Sequence, residues 1–340
     1  MPKLVRNKNL LNKVIIIDGQ PGCGKTMLSP IISSFKNVEL FSFYFELEYI
    51  FKSYYFKKMD QNTLMTLSKI LIDIKLYQMM MGREVNMRYD DLSSVFNYHD
   101  PKKYFKRILE EGDEKIPKKI INQKPILNIA MHDMMIHADS LFSIFDKKLI
   151  FIEVVRHPLY MLTQQTWNFK NLYGNKRDIH IYFEFKNNYI PYTAKGWEKI
   201  YLEANPVEKA IYNIHNNIKK NNNIRSKLKN KKYYQIVFES FVKNPYKDLY
   251  NLKKIIKTDF SKNTETVLKD QNIPRTKIAD GKPLPIYKKV GWTPPNSKFD
   301  EKDELKKRRD YAIKNGARKK FVNILDKISE EYEKDYYKIE

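Results

Sequence analysis

Between Val14 and Leu28 the chain reads VIIIDGQPGCGKTML, a glycine-rich turn set between a run of β-favouring residues and an apolar helix start. Gly19-Gln20-Pro21-Gly22-Cys23-Gly24-Lys25-Thr26 matches the phosphate-loop pattern G-x-x-x-x-G-K-[ST] in full. Glycines allow backbone N–H groups to turn onto an anion, the following helix presents its positive end, and Lys25 adds a mobile charge. Gln20, Pro21, Gly22, Cys23, Gly24, Lys25, Thr26 and Met27 are therefore the candidate anion-binding residues. The motif leaves open whether the anion belongs to a nucleoside triphosphate or to another phosphorylated nucleotide.

A second candidate lies at Leu149 to Thr163, LIFIEVVRHPLYMLT, which places Arg156 just beyond an apolar strand. Open α/β sheets bind ligands at that end of their strands. A guanidinium there pairs with a phosphate through two parallel N–H bonds.

Positioning these residues calls for a sheet covered on both faces. Val14 to Ile17 run without alternation, as a central parallel strand does. Ile126 to Ala130, Leu149 to Val155 and Tyr233 to Phe238 supply further strands, with helices predicted from about Asp133 to Phe145 and from Leu159 to Phe169. This alternation predicts an α/β fold, doubly wound around a mostly parallel sheet. Residues 1–340 read as one domain with a mostly helical insertion at about 41–120. Phe41 to Met59 is an aromatic block read as helix, and Leu64, Leu67, Leu71 and Ile74 mark a helix ending near Met81-Gly82. Asp100-Pro101 opens another, to about Glu111. Ile179 to Phe185 and Tyr189 to Tyr192 read as a hairpin turning at Lys186-Asn187-Asn188. Asn205-Pro206 starts a helix through Lys220, a polar loop spans 221–232, and Asn244-Pro245 starts a helix to Lys257. The last segment reads as a Pro/Lys-rich loop, Pro274 to Pro295, and one charged helix from about Asp303 to Tyr332.

Hydrophobic residues at 42% and aromatics at 14% supply a sizeable core and argue against a disordered chain. Cys23 is the one cysteine, which excludes an internal disulfide or a cysteine zinc cluster and fits a reducing, cytoplasmic setting. No apolar run approaches the ~20 residues of a membrane span. The net charge of +23 invites a nucleic-acid reading. Lysine is nevertheless spread along the chain with Asn, Ile and Tyr, the residues of AT-rich codons, so nucleic acid is not the expected partner.

Taken together, the two motifs resemble the sulfotransferase family. In that family a turn P-x-x-G-T-T holds the 5′-phosphosulfate of the donor PAPS (3′-phosphoadenosine 5′-phosphosulfate). A strand ending R-x-P supplies an arginine, and a serine follows a few residues on, for the donor's 3′-phosphate. Pro21 to Thr26 match the first motif and Arg156-His157-Pro158 the second. Tyr234 to Glu239 with Asn244-Pro245 resembles the family's late strand, acidic residue and helix start. Lys288-Lys289-Val290-Gly291-Trp292 resembles its basic loop over the 3′-phosphate. Gln164 stands at the serine position, with Thr163 one place early. Gly22 replaces a common basic residue, and Lys25 replaces a threonine.

The resemblance implies an α/β transferase that moves a sulfuryl group in line from PAPS to a hydroxyl or amine of a small-molecule or glycan acceptor, leaving PAP, without a metal. Arg156, Thr163, Gln164, Lys288, Lys289, Gly291 and Trp292 would then attend the nucleotide. His132 is implied as the general base because it ends the strand before the Arg156 strand, and Lys25 would meet the leaving-group charge. Branches that use a glutamate after the P-loop helix point instead to Glu46 or Glu48. His137 is expected to pack within its helix. The alternative class is an NTP-dependent kinase or NTPase, with Glu153 on a Walker B-like strand, and a nucleic-acid-binding module is a third.

Overall fold

In the computed structural model, residues 2–296 and 298–337 are described, apart from the side chain of Ile286. The strands are β1 (Lys13–Asp18), β2 (Ser42–Phe43), β3 (Ile126–Ala130), β4 (Leu149–Val155), β5 (Tyr182–Phe185), β6 (Asn188–Pro191) and β7 (Tyr233–Val237). Five of them form one sheet in the order β2-β3-β1-β4-β7, and every pair in it is parallel. β1 is central, with Val14 opposite Leu127 on one side and Leu149 on the other. The α/β class and the mostly parallel sheet are as the strand pattern predicts.

Fifteen helices are described: α1 (Lys25–Ser33), α2 (Phe45–Tyr55), α3 (Gln61–Met81), α4 (Pro101–Ile108), α5 (Lys115–Gln123), α6 (Ala138–Phe145), α7 (Pro158–Asn171), α8 (Glu198–Glu203), α9 (Pro206–Arg225), α10 (Phe238–Lys243), α11 (Tyr246–Ile256), α12 (Thr264–Asp270), α13 (Pro285–Lys289), α14 (Glu301–Lys314) and α15 (Lys319–Asp335). Side chains of β1 alternate between two cores. Ile15 and Ile17 pack with α1, α7 and α9, while Val14 and Ile16 pack with α2, α3 and α6. Burial on both faces is why β1 lacks polar alternation. Among the described residues, no helix is long and apolar enough to cross a membrane.

Several boundaries differ from expectation for physical reasons. The aromatic block does not begin as helix: Ser42 and Phe43 pair with Ile129 and Ala130 as an edge strand, and α2 starts only at Phe45. The helix expected through Lys220 runs to Arg225, because Asn221 and Arg225 are held by the Glu153 carboxylate. The single charged helix is two, α14 and α15, separated at Gly316, whose φ is 81°. The Pro/Lys-rich loop contains the short α13.

The helices between β2 and β3 are tied to the sheet at Glu39. This buried carboxylate accepts from Arg107 Nη1 at 2.8 Å and Nη2 at 3.0 Å, from Lys103 Nζ at 3.0 Å and from Tyr104 OH at 2.6 Å. Burial alone raises its pKa, but the two cations and these bonds overcome it and hold the group down at about 2.

Candidate active site at the carboxyl end of the sheet

The turn from Gly19 to Thr26 joins β1 to α1 above the centre of the sheet. Gly24 caps the helix at φ 99° with no side-chain cap bond, and its carbonyl accepts from the Met27 N–H at 3.0 Å. A Cβ at Gly24 would lie 2.2 Å from the Phe238 ring, and glycine is the residue that fits. Gln20 and Pro21 are held from α7, where Gln165 Nε2 donates to Gln20 Oε1 at 3.3 Å and to the Pro21 carbonyl at 3.2 Å. Cys23 is buried within the turn, and burial pushes its thiol pKa up. Met27 is buried on α1.

Lys25 is buried, and its ammonium donates to the Gly19 carbonyl at 2.9 Å. The Thr26 hydroxyl lies 3.0 Å from the Tyr287 hydroxyl, so α13 reaches across to α1. Beneath the loop, Asp18 accepts from the Met135 N–H at 2.7 Å, and its other oxygen has no partner. Burial pushes this carboxyl up to about 7.

On the β4 side, Arg156 Nη1 donates to the Gly22 carbonyl at 2.9 Å. Its guanidinium lies 4.0 Å from the Phe238 ring centroid, and that of Arg275 lies 5.4 Å from the same ring. Nε of each is buried without a partner. Burial, and then Arg156, push Arg275 down to about 10, and burial also lowers Arg156. Two crowded, desolvated guanidiniums with open N–H groups have the donor chemistry of an oxyanion site.

The other expected nucleotide residues divide. Gln164 Oε1 faces Gly22, 3.5 Å from where a Cβ would stand, while Thr163 touches Gly291 instead. Gly291 adopts φ 90°. Trp292 Nε1 donates to the Ala279 carbonyl at 2.9 Å. Lys288 and Lys289 are exposed, with Lys289 Nζ 5.9 Å from the Trp167 ring. Gln165, Arg275 and Tyr287 were not expected from the sequence.

On the β3 side stands His132. Its backbone N–H donates to Glu48 Oε1 at 2.9 Å, and Nδ1 lies 3.0 Å from the same oxygen. The ring lies nearly parallel to those of Phe43 and Phe45, with centroids at 5.7 and 5.9 Å, in a three-ring cluster whose two phenylalanines are 6.2 Å apart, and its side chain is 30% exposed. Lys52 Nζ donates to Glu48 Oε2 at 2.9 Å. Burial opposes the charge on Glu48, but His132 and Lys52 outweigh it and hold the carboxyl at about 2. Burial and then Lys25 lower the imidazole pKa against the pull of Glu48, which favours a neutral ring. Because Glu48 accepts from Nδ1–H, Nε2 is the nitrogen left to take a proton. Asp133 follows in the left-handed region at φ 56° and accepts from Tyr192 OH at 2.9 Å.

Glu46 is exposed on the first turn of α2, whereas Glu48 points inward. His137 packs against Phe51 and Tyr55 and is lowered to about 3 by burial. Glu153 is engaged by Arg225 at 2.6 and 2.8 Å and by Tyr233 OH at 2.6 Å.

No protein-family model matches the chain, and no curated protein matches it in sequence. Solved structures are matched at low identity. The sulfotransferase domain of the Synechococcus PCC 7002 olefin synthase is 14% identical, with 92% of this chain and 98% of that chain covered at a TM-score of 0.42. Sulfotransferase STF9 from Mycobacterium avium is 12% identical, with coverages of 98% and 79% and a TM-score of 0.43. Mouse sulfotransferase SULT7A1, complexed with PAP, is 10% identical, with coverages of 93% and 88% and a TM-score of 0.37. All three of these solved structures are sulfotransferases.

Proposed function

We propose that the protein is a PAPS-dependent sulfotransferase, which transfers a sulfuryl group in line to a hydroxyl or amine of a small-molecule or glycan acceptor. The observation that carries this reading is the order of three chemistries across adjacent strands. His132 follows β3, the phosphate loop follows β1, and Arg156 follows β4. A base and a second anion site therefore flank one phosphate cradle on opposite sides, which is what transfer from a doubly phosphorylated nucleotide requires.

The residues present fit such a donor. The first turn of α1 carries no side-chain cap, and the paired guanidiniums of Arg156 and Arg275 beside Phe238 bring two positive charges suited to a 3′-phosphate. PAPS, when bound, supplies the activated sulfuryl group. His132 Nε2 takes the acceptor proton as the acceptor oxygen bonds to sulfur, and Glu48 holds the Nδ1–H tautomer. The electron pair of the breaking sulfur–oxygen bond passes to the leaving phosphate. Lys25, Thr26 and the first-turn N–H groups meet the charge that develops there, after Lys25 exchanges the Gly19 carbonyl for the anion. The kinase or NTPase reading gains no support from Glu153, whose oxygens are occupied by Arg225, Tyr233 and Asn221. The test is calorimetry with PAP, AMP and ADP, followed by transfer of labelled sulfuryl from PAPS to a panel of hydroxyl and amine acceptors. PAP is expected to bind tightest, and equal affinity for AMP and PAP would remove the 3′-phosphate site from the reading.

A further inference from the structure

The inward face of α2 is not apolar throughout. Its buried residues are Leu47, Glu48, Phe51 and Lys52, at the spacing of one helix stripe, so two charged side chains stand where a core ordinarily places hydrocarbon. Lys52 Nζ meets Glu48 Oε2 at 2.9 Å, and the two side chains are 3% and 2% exposed. Exchanging a buried ion pair for well-packed apolar side chains is often neutral or stabilising, so stability does not account for a pair at this place. The division of the carboxylate does. Oε2 is held by Lys52, while Oε1 accepts from the His132 backbone N–H at 2.9 Å and faces Nδ1 at 3.0 Å.

Rings enclose the lysine. Its ammonium lies 4.4 Å from the Tyr192 ring centroid and 5.6 Å from that of Tyr49. The Tyr192 hydroxyl donates to Asp133 at 2.9 Å, so one side chain covers the ammonium and pins the residue after His132. His137 also faces Lys52, and burial with that cation keeps its ring neutral, which leaves Glu48 as the ion-pair partner. The charged groups facing His132 are Lys25 from α1, Glu48 from α2 and its own neighbour Asp133. Glu48 is in hydrogen-bond contact, and an unbalanced carboxylate there would draw a proton onto the ring and occupy the base. An ammonium on the far oxygen offsets that pull.

We propose that Lys52 is a positioning residue for the base: it fixes Glu48 in the rotamer that orients His132 and balances the carboxylate's charge, so that the imidazole is held in one tautomer and stays free to take a proton. This rests on the reading of His132 as the base. Enclosed by Tyr192 and Tyr49, Lys52 acts through Glu48 and not on the reacting atoms. Removing its charge therefore raises the proton affinity of His132, the opposite direction to Glu48→Gln.

Proton NMR titration of the His132 ring on the full chain, assigned by the signal lost in His132→Ala, reads this without any donor. Lys52→Met and Lys52→Gln are expected to raise the midpoint by about one pH unit, and Lys52→Arg to restore it. Lys52→Gln keeps a donor for Glu48 Oε2 without the charge, and it decides the matter if Lys52→Met does not fold. In steady-state assays with PAPS, the acid limb of the kcat profile is expected to move upward by the same amount in both neutral variants, with KM for PAPS unchanged. A lysine with only a structural role would lower the melting temperature of these variants and leave the midpoint in place. That result overturns the proposal, as does a midpoint that falls or a rise that Lys52→Arg does not reverse. A raised midpoint in a protein that transfers nothing from PAPS supports the assignment of Lys52 and sinks the transferase reading, whereas transfer with an unmoved midpoint does the reverse.

Discussion

Nδ1 of His132 lies 3.0 Å from Oε1 of Glu48, and Oε2 of the same carboxylate holds Lys52. A neutral imidazole fixed in this way presents Nε2 as a base, whereas Glu48 is too firmly ionised and too enclosed to serve as one itself. His132→Ala is therefore expected to reduce turnover by ~10²–10⁴-fold with PAP affinity nearly unchanged. Glu48→Gln is expected to slow turnover less and to move the acid limb of the pH–rate profile downward, since the imidazolium loses its counter-charge. Exposed Glu46, changed to Gln, is expected to leave rate and profile near wild type. Steady-state rates across pH decide this: activity that survives His132→Ala but not Glu46→Gln makes the glutamate the base.

Arg156 and Arg275 share the Phe238 ring and each lack a partner at Nε. PAP is accordingly expected to raise the melting temperature more than AMP does, because only PAP carries a 3′-phosphate to this pair. Arg156→Ala is expected to erase that difference while keeping the response common to both ligands. A PAP response that Arg156→Ala leaves intact would place the 3′-phosphate elsewhere.

The P-loop and Arg156 were legible in the sequence because each depends on contiguous residues: a strand, its end and the turn that follows. His132 was legible as a strand end, but its partner was not, since Glu48 lies 84 residues away and meets it only after α2 packs beside β3. Helical phase hides a further contact: Gln165, one residue beyond Gln164, holds the Gln20 and Pro21 segment, and a displacement of one residue turns a side chain about 100° around a helix. Arg275 and Tyr287 arrive from a Pro/Lys-rich stretch without periodicity, where spacing says nothing about which side chain folds back over the sheet. The division of the charged helix at Gly316 needed only the glycine, but the continuous run of charged residues on either side concealed it.

Asp18 carries a pH dependence opposite to that of the paired glutamates. Its carboxyl is raised from 3.8 to about 7 by burial. The native state therefore binds its proton more tightly than the unfolded chain, and the associated stability is complete below pH 3.8 and lost as pH rises through about 7. Asp18→Asn keeps an acceptor for the Met135 N–H without the charge. Its melting temperature is expected to exceed that of wild type above neutral pH and to match it near pH 4. Thermal melts across this range test the assignment, and a variant that is less stable at pH 8 would show that the ionised carboxylate, facing Lys25, is needed by the fold.

The two enzyme readings part over the metal. In a P-loop NTPase the hydroxyl after the lysine ligates Mg²⁺, which bridges two phosphate oxygens, so chelation stops the chemistry. Here that hydroxyl belongs to Thr26 and lies 3.0 Å from Tyr287 OH, while the strand carboxylate Glu153 is bound to Arg225. Sulfuryl transfer develops its charge on the leaving phosphate, where Lys25 and the α1 N-terminus can meet it without a bridging ion. PAP binding and transfer from PAPS are thus expected to persist in excess EDTA, with ATP a weak competitor for transfer. Lys25→Ala is expected to reduce transfer by ~10²–10³-fold, in line with the loss of one preorganised electrostatic group. The measurement is label transfer from PAPS and from ATP in parallel, with and without chelator. Mg²⁺-dependent ATP turnover that disappears in Lys25→Ala, in a protein unresponsive to PAPS, would replace the sulfotransferase by a kinase or NTPase.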